Sequence, residues 1–439
     1  MAYVIGVLVL VVGIIVSIAL HEVGHMVPAK KFGVRVSQYM VGFGPTLWSR
    51  TRGETEYGVK AVPLGGYVRL IGMYPTADAV GNPPVRGFFS RISADAREAS
   101  AEEILPGEDH RAFYRLSTPK KLVVMLGGPV MNLLIAMVLL AITLVGIGTT
   151  GYSTTISSVS QCVLPADSTA TECTDDDEAA PGAAAGLQAG DTVLEYDGVT
   201  IETWSQLSAL IRASTDGTAV PIVVERDGEQ VTLTVTPVVA DRPVTDDDGN
   251  AVTDDDGEAV TASVGFLGVS PGTELQRQPL SDVVSSTADW MWETAKAMVS
   301  LPSSLVDTAR SAFGDEARDS SGVIGPVGIV RLAGEVASTD ATGVGIAERV
   351  ATMMNILASL NIALFVFNLI PLVPLDGGHV AAALWEGLKR QVARLRKRPR
   401  PRPADAARLQ PLALVVFVLL GGMGLLIAYA DIVSPVTLG

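Results

Sequence analysis

Residues Ala19-Leu20-His21-Glu22-Val23-Gly24-His25 close an apolar run that begins at Tyr3, and this stretch decides both where the chain sits and what chemistry it carries. Its apolar part, Tyr3–Leu20, holds no charged residue, and its length is close to the roughly 20 helical residues that cross a hydrocarbon core about 30 Å thick. On a helix the i, i+4 spacing puts His21 and His25 on one face, where both imidazoles can meet one zinc ion at about 2.0–2.1 Å. Glu22, beside the same metal, can take a proton from water and pass it to a leaving amine, the chemistry of a zinc-dependent peptidase. The competing reading is a pair of histidines and an acid ending an apolar helix among lipid headgroups. The chain has four histidines in all, so their clustering around a Glu favours the metal.

Three further stretches are apolar enough to span, about Leu122–Ile147, Ala351–Leu372 and Leu412–Tyr429. The 439 residues are 48% hydrophobic with a formal charge of −15, and a mean hydropathy of +0.37 in so acidic a chain means the apolar residues are concentrated out of water. The fold class expected is a multi-pass α-helical membrane protein with four transmembrane helices. Disorder, collagen and a disulfide-dense scaffold are excluded by composition, and the acidic balance argues against nucleic acid as a partner. The first span lacks the basic N-terminal flank of a cleavable signal and is read as retained.

Basic residues orient the spans. Lys30, Lys31, Arg35, Arg50, Arg52, Lys60 and Arg69 follow the first span, and Lys389–Arg402 separates the third and fourth, so both loops are expected in the cytoplasm. Between Gly151 and Val350 lie 33 acidic against 9 basic residues, which places that segment outside. Cys162 and Cys173 fall there, where a disulfide is chemically permitted. The spacing leaves bridged and free forms equally open.

A catalytic zinc usually takes three protein ligands and keeps one position for water. The third span ends in Asn368-Leu369-Ile370-Pro371-Leu372-Val373-Pro374-Leu375-Asp376-Gly377-Gly378-His379. An acid at the edge of a span is expensive unless paired or metal-bound, which makes Asp376 the expected third ligand. His379 is the competing candidate.

HEVGH in the first span together with NLIPLVPLDGG after the third resembles the bacterial site-2 protease family, intramembrane zinc metalloproteases with an external PDZ domain of the regulator of sigma-E protease type. Gly42-Phe43-Gly44-Pro45 and Pro63-Leu64-Gly65-Gly66-Tyr67-Val68 resemble that family's membrane-associated β-hairpin. Gly127-Gly128-Pro129-Val130-Met131-Asn132 resembles the opening of its second span, and Gly325-Pro326-Val327-Gly328-Ile329 the stretch before its third. One departure stands out: Val373-Pro374 is in swapped order relative to the usual motif. The resemblance implies His21, His25 and Asp376 as zinc ligands, Glu22 as acid and base, and Asn368 as a group holding the substrate backbone or oxyanion. An Asn in a span also serves simply to hydrogen-bond a neighbouring helix.

Residues 1–150 are then expected to hold the first two spans, the hairpin and a cytoplasmic loop. The alternation of Thr55–Leu70 suits an edge hairpin, and Pro75–Asp109 reads as a mobile loop. Residues 151–240 resemble an extracytoplasmic α/β PDZ domain with an acidic insert at Asp175–Glu178. Residues 241–345 carry two copies of Val-Thr-Asp-Asp-Asp-Gly, read as an acidic hairpin, then Leu280–Ala312 with helical apolar spacing, read as an amphipathic helix on the outer membrane surface. Residues 346–439 hold the last two spans and the basic loop, whose run Arg394–Arg402 is too rich in Pro for a helix and suits anionic lipid heads.

The function expected is cleavage, in the plasma membrane near its cytoplasmic side, of single-span proteins already cut outside by a site-1 protease. The resemblance implies membrane anti-sigma factors as substrates and a role in envelope stress signalling. Two rivals remain at this point: a protease trimming prenylated or soluble substrates from a membrane chamber, and a membrane-anchored PDZ adaptor with an inactive metal site.

Overall fold

The computed structural model describes residues 1–163, 173–174, 177–243, 260–314, 323–338, 345–399 and 401–435. Both Asp-Asp-Asp-Gly repeats, and Asp175 and Asp176 of the acidic insert, lie outside the described residues. In chain order the elements begin with α1 (Ala2–Lys31), β1 (Val36–Arg52), β2 (Thr55–Leu70), α2 (Ala77–Val80), α3 (Phe88–Glu102), α4 (Thr118–Ala141) and β3 (Thr149–Val159). There follow α5 (Pro181–Ala184), β4 (Thr192–Tyr196), β5 (Val199–Thr200), α6 (Trp204–Ala213), β6 (Val220–Arg226), β7 (Glu229–Val235), β8 (Val238–Pro243), β9 (Thr261–Phe266) and β10 (Val269–Gln276). The chain closes with α7 (Leu280–Phe313), α8 (Pro326–Ser338), α9 (Ile346–Asn368), α10 (Asp376–Leu395) and α11 (Gln410–Val433). They form two compact units, one of residues 1–148 with 277–439 and one of residues 149–276.

The first unit is mainly helical, with four helices long and apolar enough to cross a membrane: Ala2–Lys31, Thr118–Ile147, Ile346–Asn368 and Ala406–Val433. The first runs eleven residues past the apolar stretch, so the HExxH motif is helical throughout. It ends where Lys30 and Lys31 complement the negative pole of the helix and Gly33 turns the chain at φ +83°. The third begins five residues earlier than hydropathy suggests, at a turn where Gly345 N donates to Glu348 Oε2 at 2.7 Å. It stops at Asn368, four residues short of the expected Leu372, because Pro371 bars continuation. Ile142–Ile147 carries α4 onward with one wide turn, ended by Gly148 at φ 104°.

α1 and α4 cross at glycines. A Cβ on Gly24 would lie 2.2 Å from Gly127 O, and one on Gly127 would lie 2.0 Å from Gly24 O, so the two backbones touch. Small residues allow this in spans, where helices associate by close packing rather than by expulsion of water. α9 joins the pair through a buried hydrogen bond, Asn361 Nδ2 to Ser17 Oγ at 3.0 Å, one turn before His21.

β1 and β2 form one antiparallel sheet folded over on itself. Val36–Val41 is flanked on one edge by Gly66–Leu70 and on the other by Glu56–Val59, while Thr46–Arg52 pairs with Thr55–Lys60. The hairpin therefore closes at Gly53-Glu54 and takes in Val36–Arg52 as well as the expected Thr55–Leu70. The Tyr39 hydroxyl donates to Ala19 O at 2.8 Å and pins this sheet to α1.

The stretch Pro75–Asp109, read above as a mobile loop, instead contains α2 and α3, with Arg97 of α3 buried. Its guanidinium grips Asp405 in two hydrogen bonds of 3.0 and 2.8 Å. Leu280–Ala312 falls within one 34-residue helix, α7, whose Val283, Trp290 and Met291 pack with Ala358 and Ile362 of α9. In the basic run α10 includes Arg394, and residues 396–399 are non-helical.

The second unit is a sheet ordered β10-β3-β4-β6-β7 with β5 beside β4, plus the separate pair β8–β9. Val220, Ile222 and Val224 of β6 alternate inward, and Leu207 and Ile211 of α6 cover them with Tyr196 and Val235. Thr203 Oγ1 caps α6 by accepting from Gln206 N. Cys162 and Cys173 are joined in a disulfide, which resolves the alternative the spacing left open.

Candidate active site

The glycine crossing of α1 and α4 sets the centre. Gly128 follows the contact point, and a Cβ there would lie 2.1 Å from His25 Nε2 and 2.7 Å from His21 Nε2. The missing side chain leaves an open space in front of both imidazoles. His25 Nδ1 lies 2.8 Å from Val124 O, also on α4, so the ring donates from Nδ1 and presents an unprotonated Nε2 to the open space.

Asp376 enters from the opposite side as the first residue of α10. Gly377 and Gly378 make this possible, because a Cβ on either would lie 2.2 Å from Ile370 O or 2.6 Å from Val373 N. The helix can therefore start tight against the loop behind it, in which the Val373–Pro374 peptide is cis. Asp376 Oδ2 stands 3.5 Å from His21 Nε2 and 3.3 Å from His25 Nε2, and the two Nε2 atoms are 3.2 Å apart. Three donors bound to one zinc at about 2.0–2.1 Å in tetrahedral geometry are separated by about 3.3–3.4 Å, the edge of that tetrahedron. The triangle fits zinc, and the donor set of two imidazoles and a carboxylate is of the kind used in catalytic sites. Among the described residues this is the one such cluster of His, Cys, Asp and Glu.

Glu22 sits beside the triangle and meets β2, where a Cβ on Gly66 would be 3.2 Å from Glu22 Cγ and 3.1 Å from Ile18 Cγ2. The outer edge of the folded sheet, Gly66–Leu70, thus runs past the acid. His379, the rival ligand, is outside the triangle, its ring 6.4 Å from that of Tyr74. Asn368 ends α9, half-buried, one loop before Asp376. Asn132, one helical turn beyond Gly128, is fully buried with neither side-chain polar atom paired among the described residues.

Gly24, Gly127 and Gly128 build the site without any chemistry of their own in the sequence, where the one signal of close packing is a Gly-Gly pair inside an apolar span.

Four apolar spans with a His-Glu-x-x-His helix and a carboxylate closing on it define a metallopeptidase built into membrane helices. The comparisons narrow this further: residues 9–399 match the family model described as Peptidase family M50. The chain belongs to that family, the site-2 proteases. It is similar to the zinc metalloprotease Rip1 of Mycobacterium tuberculosis strain H37Rv, 34% identical with 100% of both chains covered. It is likewise similar to Rip1 of Mycolicibacterium smegmatis, 32% identical over 100% of both, and to the metalloprotease MmpA of Caulobacter vibrioides, 25% identical over 89% of each. The chain is thus a zinc metalloendopeptidase of site-2 protease type, and zinc is its metal.

Proposed function

We propose that this protease cuts the transmembrane segment of single-span proteins whose outer domain a site-1 protease has already removed, and releases a fragment into the cytoplasm. The observation that carries the reading is a zinc-fitting triangle whose two histidines stand on a spanning helix, with Glu22 and an outer strand of the folded sheet beside it. In this assignment His21, His25 and Asp376 hold the metal. A zinc ion held there would supply Lewis acidity to the scissile carbonyl and to water. Glu22 takes the proton of the attacking water and delivers it to the leaving nitrogen. Asn368 steadies the substrate backbone or the oxyanion, by the family resemblance.

A transmembrane helix must unwind before its peptide bonds can be cut, and the freed groups need new partners in a medium without water. Gly66–Leu70, an outer strand of the folded sheet, supplies them by strand addition. Phe43, Leu47 and Trp48 expose apolar surface elsewhere on the sheet, which suits contact with the membrane. We assign the unit of residues 149–276 as a PDZ domain that screens substrates outside the cell, a role consistent with its acidic composition. The positive-inside bias puts the active site near the cytoplasmic side of the plasma membrane. Anti-sigma factors, and through them envelope stress signalling, are the substrate class the family resemblance favours.

The test measures zinc content and cleavage of a single-span substrate with a truncated ectodomain, using the native chain, Glu22→Ala and Asp376→Ala in detergent. Cleavage by the native chain alone is expected, with zinc kept in Glu22→Ala and depleted in Asp376→Ala. Persistent cleavage by Glu22→Ala, or full zinc binding by Asp376→Ala, overturns the assignment.

A further inference from the structure

α10 is not among the spanning helices, yet its outward face is apolar. Leu384, Trp385, Leu388, Val392 and Leu395 are 54%, 59%, 51%, 37% and 77% exposed. At about 100° per residue they fall within one arc of about 100°, while Ala383 and Glu386 occupy the buried face. A cytoplasmic helix in water does not leave such a stripe uncovered.

Two features of the chain identify what covers it. α10 starts eight residues after span α9 ends and packs on the first turn of span α4, with Gly387 against Thr118 and Lys121 Nζ 3.0 Å from Glu386 Oε2. It therefore lies at the depth where spans leave the membrane. From Asp376 to Arg402 the chain has eight basic residues, and its two acids are Asp376 and Glu386, the latter buried and paired with Lys121 and Arg390. An apolar arc bordered by Lys389, with Arg394, Arg396, Lys397 and Arg398 at its far end, complements an anionic leaflet.

We propose that α10 is seated in the surface of an anionic phospholipid leaflet and that this seating holds Asp376 against His21 and His25, so that lipid charge controls the protease. The mechanical link is short. Asp376 is the first residue of the helix, Gly377 and Gly378 are wedged against the preceding loop, and Glu386 ties the helix through Lys121 to the span that carries Gly128. A helix drawn off the surface would carry Asp376 with it. The proposal deepens the assignment of Asp376 above and rests on it.

The experiment reconstitutes the full chain into vesicles of phosphatidylcholine alone or mixed with phosphatidylglycerol. Nitroxide labels at Leu388→Cys and Leu395→Cys are expected to be accessible to oxygen and shielded from an aqueous nickel chelate, with Gln391→Cys the more aqueous. Cleavage is expected to rise several-fold with phosphatidylglycerol, and the ratio to fall towards one in the triple variant Arg394→Gln/Lys397→Gln/Arg398→Gln. Aqueous labels at 388 and 395, or labels immobilised by a protein contact, overturn the lipid seating. Equal cleavage in the two vesicle types overturns the control. A mistaken Asp376 assignment reveals itself separately, as zinc retained in Asp376→Ala wherever the labels lie.

Discussion

At the scale of single residues, the centre depends on an atom that is not there. Gly128→Ala places a methyl 2.1 Å from His25 Nε2, in the space both histidines face, whereas nothing lies within 4 Å of a Cβ on Gly146. Gly128→Ala is expected to lose zinc and cleavage together, by about 100-fold in activity, while Gly146→Ala keeps both; metal analysis and a cleavage assay on the same preparations decide it. Glu22→Gln separates the two roles from the other side, keeping zinc while slowing cleavage by about 10²–10⁴-fold, the usual share of general acid–base catalysis. That His21 and His25 meet on one face was legible in the sequence because helical spacing is itself geometry, and that Asp376 joins them because an acid at a span edge needs a reason. Gly128 was not, since a missing side chain acquires meaning only when the atoms opposite it are known.

Among the elements, the spans were the most legible, because a hydrocarbon core demands apolar length whatever the tertiary context. The buried face of α3 and the apolar arc of α10 were hidden, since polar and basic residues dilute both segments and only packing tells which side faces the protein. In the second unit, β4 and β6 are joined by a pair whose partners lie 35 residues apart, beyond any local pattern. Arg226 donates from Nε and Nη2 to Asp191 at 2.7 Å each, and Gln188 N donates to the same carboxylate at 2.8 Å. The guanidinium holds the Asp191 carboxyl below its ordinary value. A native value below the unfolded one, about 3.9, means the pair's stabilisation is complete above the unfolded value and is lost as pH falls through the native one. Arg226→Ala is expected to lower the stability of β4 and β6 at neutral pH and to move the onset of their acid opening upward. Hydrogen exchange on the intact protein, resolved to these strands across pH 3–7, measures both shifts.

Over the whole molecule, the end of the first unit that carries α3 and α10 is fastened by buried ion pairs between segments far apart in sequence. Arg97 of α3 and Asp405, just before the last span, are 308 residues apart, and their side chains are 7% and 10% exposed. Lys121 and Glu386 do the same for α4 and α10, at 7% and 2%. Such pairs gain little over an apolar packing of the same shape, but removing one partner leaves a buried charge unmatched. Arg97→Met alone is therefore expected to cost about 3–5 kcal/mol and to open α3 and the start of the last span to proteolysis. Arg97→Met combined with Asp405→Leu removes both charges and is expected to recover most of that loss, a coupling read as non-additivity in a double-mutant cycle. Limited proteolysis of Arg97→Met, Asp405→Leu and the double variant beside the native chain, scored at α3, measures it. Additive losses in the cycle would mean that the two residues act separately and that α3 is held by its apolar contacts alone. A recovered double variant would show that the segment between the first two spans and the approach to the last span are locked to each other by charge, a long-range tie with no local signature in either stretch of sequence.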